Sequence, residues 1–280
     1  MSPRPVIWLA GMPRSGTNWG SQILDSAPEL RLKFCPLFSW EFKNRLDETA
    51  SSDDWDRLFA DVYATPGDYL DQHYLRRQGL LPTFAQQHAQ PRVLGIKSTR
   101  YHTLMPGLLE KAAYVRLVVL VRNPIAAVHS WLSNPLEFPA GARPEDHWRN
   151  GACRKSAVGE FWGYEDWKRS TLQYLDLRQR FPDRVCIVRY EDLVADPLGQ
   201  TREVFRFAGL VFGPQTESFL RDSTSRHSSH QRSVFKSREV ATRWQATVDP
   251  RMRAEITADL VGGPLAEFLN PSSLLDPDTP

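Results

Sequence analysis

The stretch Leu9-Ala-Gly-Met-Pro-Arg-Ser-Gly-Thr-Asn-Trp19 leaves this chain few folds to choose from. It follows the apolar run Pro5-Val-Ile-Trp-Leu-Ala10 and leads into Trp19-Gly-Ser-Gln-Ile-Leu24, which can open a helix. A strand feeding a Gly-bounded turn and then a helix N-terminus is a phosphate cradle, because free backbone N–H groups and the helix dipole both point at the anion. Gly11 and Gly16 keep the spacing of a Walker-A loop, yet Thr17 and Asn18 stand where that motif has Lys and Ser/Thr. In kinases and ATPases the lysine reaches the β- and γ-phosphates and the hydroxyl binds magnesium. Here Arg14 is the nearby cation, and an amide replaces the hydroxyl. Pro13, Arg14, Ser15, Gly16, Thr17, Asn18 and Trp19 are therefore the first candidate binding residues, for a phosphorylated adenine donor used without a metal. Gly-x4-Gly alone is commonplace, since glycine makes up about 7% of average composition. The flanking strand and helix give it weight.

Other short apolar, β-branched runs recur at Val93–Ile96, Val115–Val121 and Val185–Val188, the pattern of strands buried on both faces. Between them Trp55, Leu58, Phe59 and Val62 fall at helical spacing, and Phe161, Tyr164, Trp167, Leu172 and Leu175 do so more loosely. The alternation predicts an α/β fold of three layers, a central parallel β-sheet flanked by helices, with a P-loop-like phosphate-binding turn. Ligands then gather at the C-terminal ends of the strands. The segments Asn134–Pro144 and Gly209–Ser237 read as long connections.

With 280 residues, 41% hydrophobic and 24% charged, the chain reads as one large domain over 1–280 with a frayed tail at 276–280. The 35 Lys+Arg against 33 Asp+Glu lack the basic excess of a nucleic-acid binder. No apolar stretch approaches membrane-spanning length, and the N-terminus has no secretory pattern. Cys35, Cys153 and Cys186 are an odd number without metal-like pairing, which favours a reducing compartment, so the expected location is cytoplasmic. The oligomeric state stays open, with a homodimer among the options.

A second block, Arg116-Leu-Val-Val-Leu-Val-Arg-Asn-Pro-Ile-Ala-Ala-Val-His-Ser130, is a strand ending at Arg122, with Pro124 suited to a first helical turn and Ser130 further along it. Arg122 is placed to grip a phosphate bidentately, and the Ser130 hydroxyl to donate beside it. Together with Arg14 they suggest two anion sites, as a donor phosphorylated at two places on its ribose requires. A third block, Cys186-Ile-Val-Arg-Tyr-Glu-Asp-Leu-Val-Ala-Asp-Pro197, is another strand running into a helix start. Tyr190 is placed to lie along an adenine face, while Glu191 and Asp192 suit a helix N-terminus and read as structural.

These three blocks, in this order, resemble the sulfotransferases that use 3′-phosphoadenosine 5′-phosphosulfate (PAPS), over residues 5 to about 245. The resemblance implies that Pro13-Arg14-Ser15-Gly16-Thr17 holds the 5′-phosphosulfate, that Arg122 and Ser130 hold the 3′-phosphate, and that Arg189-Tyr190-Glu191-Asp192-Leu193 is the family's strand end. Trp19 would stack near the adenine. The segment after residue 232 would close over the 3′-phosphate, with Ser233, Lys236 and Arg238 as candidates. Ile96-Lys97-Ser98-Thr99-Arg100 resembles the Lys-x-x-Arg of the carbohydrate sulfotransferases. Cytosolic enzymes have Lys-Thr-His there, the His being their base, and Thr99 stands at that place. Glycan enzymes tend to keep a Glu-Pro after the first helix, and here it is Cys35-Pro36, so neither family base carries over.

The implied reaction is direct in-line transfer of a sulfuryl group from PAPS to a hydroxyl of a glycan, glycolipid or small-molecule acceptor, leaving adenosine 3′,5′-bisphosphate (PAP) and requiring no metal. Lys97 and Arg14 suit the developing charge on the leaving phosphate. Glu41 and His102 are the candidate bases, Glu41 preferred for its place just beyond Cys35-Pro36. Cys35 reads as a packing residue. Trp40, Trp131, Trp148, Phe138 and Phe161 are candidates to line the acceptor site. The rival classes are a nucleoside or small-molecule kinase on a degenerate P-loop, which would need a magnesium site, and a non-catalytic nucleotide-binding module.

Overall fold

The computed structural model describes residues 3–235 and 241–270. Among them, strands β1 (Val6–Ala10), β2 (Leu30–Phe34), β3 (Val93–Ser98), β4 (Val115–Val121) and β5 (Val185–Arg189) form a parallel sheet in the order β2-β3-β1-β4-β5. Helices α1 (Thr17–Asp25), α2 (Ser52–Ala64), α3 (His73–Arg77), α4 (Met105–Lys111), α5 (Pro124–Leu132), α6 (Pro144–His147), α7 (Tyr164–Arg180), α8 (Tyr190–Ala195), α9 (Pro197–Ala208), α10 (Pro214–Ser225) and α11 (Pro250–Leu260) connect and flank it.

Side-chain alternation along the strands produces the three layers. Val6, Trp8 and Ala10 enter one core with Leu117, Val119 and Val121, where α2, α4, α5, α7 and α11 bring Trp55, Leu108, Val128, Trp167 and Ile256. Ile7 and Leu9 enter the other with Val118 and Leu120, where α1, α3, α9 and α10 bring Leu24, Leu75, Phe205 and Phe219. Both faces of the sheet are thus covered, as an all-parallel sheet requires.

Four strands lie where the apolar runs put them, β3 and β5 running on to Ser98 and Arg189. The fifth, β2, corrects the sequence reading. Leu30-Arg-Leu-Lys-Phe34 alternates apolar with basic because it is an edge strand whose charges are satisfied locally. The Lys33 ammonium donates to Thr65 O (2.7 Å) and pairs with Asp71 (2.8 Å), and Arg31 donates to Tyr63 O (3.0 Å). On α7 the buried face is Trp167, Thr171, Tyr174 and Leu177, whereas Leu172 is exposed. The segment Gly209–Ser237, expected as a connection, carries α10.

Caps fix the helix starts nearest the functional edge. Asn123 Oδ1 accepts from Ile125 N (2.9 Å) and Ala126 N (3.2 Å) at the head of α5, with Pro124 in its first turn. The connection from β1 runs towards β2 and that from β4 towards β5, so the chain reverses direction between two neighbouring strands. The crevice outside their C-terminal ends is the switch point where open α/β sheets bind ligands.

Candidate active site

That crevice opens into a cavity of about 540 Å³. Its floor is the turn from β1 to α1. A Cβ on Gly11 would come 2.5 Å from Leu120 O, and one on Gly16, where φ is 85°, would come 2.4 Å from the Tyr190 ring. Only glycine fits at either place. Arg14 also takes a positive φ, 70°, which throws its side chain out of the turn, and Ser15 N donates to Met12 O (3.2 Å) to close it. Helix α1 begins with neither a side-chain cap nor an acidic residue in its first turn. The N–H groups of that turn lack intrahelical acceptors and are available to an anion.

Three cations converge on this floor. Arg14 Nε donates to Ser130 Oγ (3.2 Å) on α5, and Arg122 Nη1 donates to Arg14 O (3.0 Å). The Arg122 guanidinium lies 4.8 Å from the Tyr190 ring centroid, and Trp167 Nε1 donates to Arg122 O (3.0 Å), which holds the backbone in place. Burial pushes the pKa of Arg14 down; Glu137 resists that shift, and the charge on Arg122 adds to it. Arg122 Nε is buried with no hydrogen-bond partner among the described residues. Lys97, at the end of β3, is 3% exposed, its Nζ 4.3 Å from the Phe34 ring centroid. Among the described residues its ammonium has neither a hydrogen bond nor an ion pair. Burial lowers its pKa, with Cys35 and Glu137 resisting and Arg100 and Arg14 adding to the shift. The neighbouring cation Arg100 is by contrast tied to Glu160.

The sequence candidates divide clearly. Pro13, Arg14, Gly16, Thr17, Asn18, Trp19, Lys97, Arg122, Ser130, Tyr190 and Ser233 all line the cavity. Trp19 is held there by Nε1 donating to Ser223 Oγ (2.9 Å) on α10. Ser15 does not line it: its side chain is fully buried behind the turn, and Oγ finds no partner among the described residues. Lys236 and Arg238 lie outside the described residues. Glu191 is structural, its Oε1 accepting from Asn123 N (3.0 Å).

Both candidate bases are displaced from the cavity wall. Glu41 is exposed, with its carboxylate beside Gly67. His102 is 2% exposed and sits in the core, Nδ1 against the Tyr174 hydroxyl and the ring 4.6 Å from Phe161. Tyr101 takes a φ of 59° and turns the chain just before it, so His102 points inward. Desolvation pushes its pKa down to about 3. Of the acceptor aromatics, Phe161 lines the cavity; Trp131 and Trp148 are core, and Trp40 is 94% exposed. Sequence reasoning missed Glu137, which lines the cavity 3.6 Å from Arg14 Nη1. It lies in an irregular connection with no periodicity, and only the long-range contact with Arg14 marks it.

Sheet order, glycine turn and converging cations define an α/β protein of the P-loop-like, anion-cradling class. The model of the sulfotransferase family matches residues 5–214, and the chain belongs to that family. It is 30% identical to carbohydrate sulfotransferase 5 of Mus musculus over 195 residues, which cover 61% of this chain and 46% of that protein. The chain thus spans less than half the length of the curated relatives it matches. A sulfotransferase domain from the curacin biosynthetic pathway superposes with a TM-score of 0.54 at 16% identity, covering 92% of this chain and 97% of that domain. A mouse sulfotransferase solved in complex with PAP superposes with a TM-score of 0.51 at 16% identity, covering 92% and 85%. At such identities the likeness is one of fold. Among the described residues, no helix is long and apolar enough to cross a membrane.

Proposed function

We propose that this protein transfers a sulfuryl group from PAPS to a hydroxyl of a saccharide acceptor. The observation that carries the reading is the convergence of Arg14, Arg122 and Lys97 on the open N-terminus of α1, with Arg122 Nε buried and unpartnered among the described residues. Cations gathered at such a cost, with burial and then the charge of Arg122 lowering the pKa of Arg14, fit a ligand with more than one anionic group. PAPS supplies a sulfuryl group bonded to a phosphate that leaves readily. The first turn of α1 and Arg14 hold the 5′ side, and Arg122 with Ser130 holds the 3′-phosphate. The Lys97 ammonium places positive charge where the bridging oxygen becomes negative, stabilising the transition state more than the ground state. The carbohydrate acceptor is supported by the similarity to carbohydrate sulfotransferases and by the Phe38, Phe161 and Trp162 walls of the cavity.

The test is transfer from ³⁵S-labelled PAPS to a panel of N-acetylglucosamine- and galactose-terminated oligosaccharides in the presence of a chelator. Label in the saccharide and thermal stabilisation by PAP are expected. Stabilisation by magnesium-ATP alone, with no label transferred, would refute the reading in favour of a kinase.

A further inference from the structure

The sulfotransferase reading needs a proton acceptor beside the acceptor hydroxyl, and neither Glu41 nor His102 lines the cavity. We propose that Glu137 is that base, and that in the unliganded protein Arg14 holds it in reserve. This inference rests on the sulfotransferase reading and names a residue for it.

Among the described residues lining the cavity Glu137 is the acidic side chain, and in an anion site it is out of place. A carboxylate 3.6 Å from Arg14 Nη1 competes with any phosphate for that guanidinium. Its charge also favours the protonated form of Lys97, so it lies within electrostatic reach of both cations assigned to the leaving group. The oxygen facing Arg14, Oε2, is buried and accepts no hydrogen bond among the described residues. The side chain as a whole keeps 30% exposure, which leaves a path to an incoming hydroxyl.

The residue is held where it is by a folded turn. Buried Asn134 accepts at Oδ1 from Leu136 N (3.1 Å), while its carbonyl accepts from Glu137 N (3.0 Å) and Phe138 N (2.8 Å). Phe138 packs edge-on to Trp131 at 5.2 Å, which pins the turn to α5. A second candidate proton acceptor among the described residues of the cavity wall is His129. It shares a hydrogen bond with Thr247 Oγ1 (3.1 Å) and stands next to Ser130, on the side given to the 3′-phosphate.

The step balances. The acceptor O–H bond breaks and its proton passes to Glu137; the acceptor oxygen bonds to sulfur; the bond from sulfur to the bridging phosphate oxygen breaks. The electron pair leaves on that oxygen, beside Lys97 and Arg14. When Arg14 turns to the donor's 5′-phosphate, it gives up Glu137, so the base is released only once donor is bound.

Glu137→Gln separates this role from a structural one, because two readouts move in opposite directions. Turnover with the saccharide that wild type sulfates fastest should fall about 10²–10⁴-fold. Affinity for PAP, measured by calorimetry without any acceptor, should tighten by up to about tenfold as the competitor for Arg14 disappears. Glu137→Asp should recover part of the turnover. Turnover of Glu137→Gln within threefold of wild type would overturn the proposal, as would weakened PAP binding, the mark of a mere prop for Arg14. Loss of turnover in His129→Gln with Glu137→Gln still active would move the base to His129. Absence of transfer by wild type to every member of the panel would instead overturn the sulfotransferase reading, and the base with it.

Discussion

Replacing Arg122 with methionine separates the cost of a buried cation from its use. Arg122 is 8% exposed, donates from Nη1 to Arg14 O, and has a buried Nε without a partner among the described residues. Losing the bond to Arg14 O costs about 1.5–3 kcal/mol, and removing the orphaned Nε returns about 1–3 kcal/mol. Methionine keeps an apolar stem near the Tyr190 ring. The unliganded protein should therefore change in stability by no more than about 2 kcal/mol. Binding should not escape so lightly. A charge-assisted contact to the 3′-phosphate is worth about 1.5–3 kcal/mol, or about ten- to a hundredfold in Kd. At a PAP concentration about 100 times the wild-type Kd, ligand stabilises wild type by about 2.7 kcal/mol. A variant binding a hundredfold more weakly gains only RT ln 2, about 0.4 kcal/mol. The assay is thermal unfolding with PAP and, in parallel, with adenosine 5′-phosphate, each at a fixed multiple of its wild-type Kd. Stabilisation by the monophosphate should survive the substitution. Equal loss for both ligands would refute the assignment of Arg122 to the 3′-phosphate, and collapse of the unliganded melting temperature would refute the energetic argument.

Lys97→Ala should lower single-turnover sulfuryl transfer by about 10²–10³-fold while PAP affinity stays within a fewfold, because its ammonium acts on charge that develops only in the transition state; equal losses in both would contradict that role. His102 is neutral in the folded chain down to about pH 3, whereas an unfolded histidine gains its proton near pH 6.5. Stability from this group is full above about pH 6.5 and is lost as pH falls towards 3, on the order of 3 kcal/mol by pH 4. Urea unfolding of His102→Gln should show a flatter fall in stability between pH 7 and 4 than wild type, and parallel curves would contradict the shift. Glu41→Gln should match wild type in melting temperature and turnover, since its carboxylate is exposed and outside the cavity lining; a hundredfold loss of turnover would restore it as the base.

What could be read from the chain follows from where its information is local. Strands β1, β3, β4 and β5 are legible because burial on both faces leaves unbroken apolar runs. The β1–α1 turn is legible because its glycine spacing sits between an apolar strand and a helix start, although the contacts that force glycine there, Leu120 O and the Tyr190 ring, come from distant parts of the chain. Strand β2 hides because Arg31 and Lys33 look like solvated residues until Tyr63, Thr65 and Asp71 are brought alongside. His102 misleads because one left-handed residue, Tyr101, turns it inward, and backbone handedness at a non-glycine residue leaves no mark in the sequence. Glu137 is silent for a different reason: its role exists only through Arg14, 123 positions earlier in the chain.

The bond from Arg122 Nη1 to Arg14 O has a consequence for the enzyme as a machine that must repeat itself. Under the proposed function it fastens the residue assigned to one phosphate to the backbone that bears the residue assigned to the other, so a doubly phosphorylated nucleotide would be clasped at both ends. The sulfuryl group would depart through neither clasp. On that reading spent nucleotide would keep the phosphate contacts that held the fresh donor, and its escape, rather than chemistry, is the expected slow step of successive cycles. A phosphatase that strips the 3′-phosphate from the spent nucleotide would then open one of the two clasps and drive the cycle forward without touching the protein.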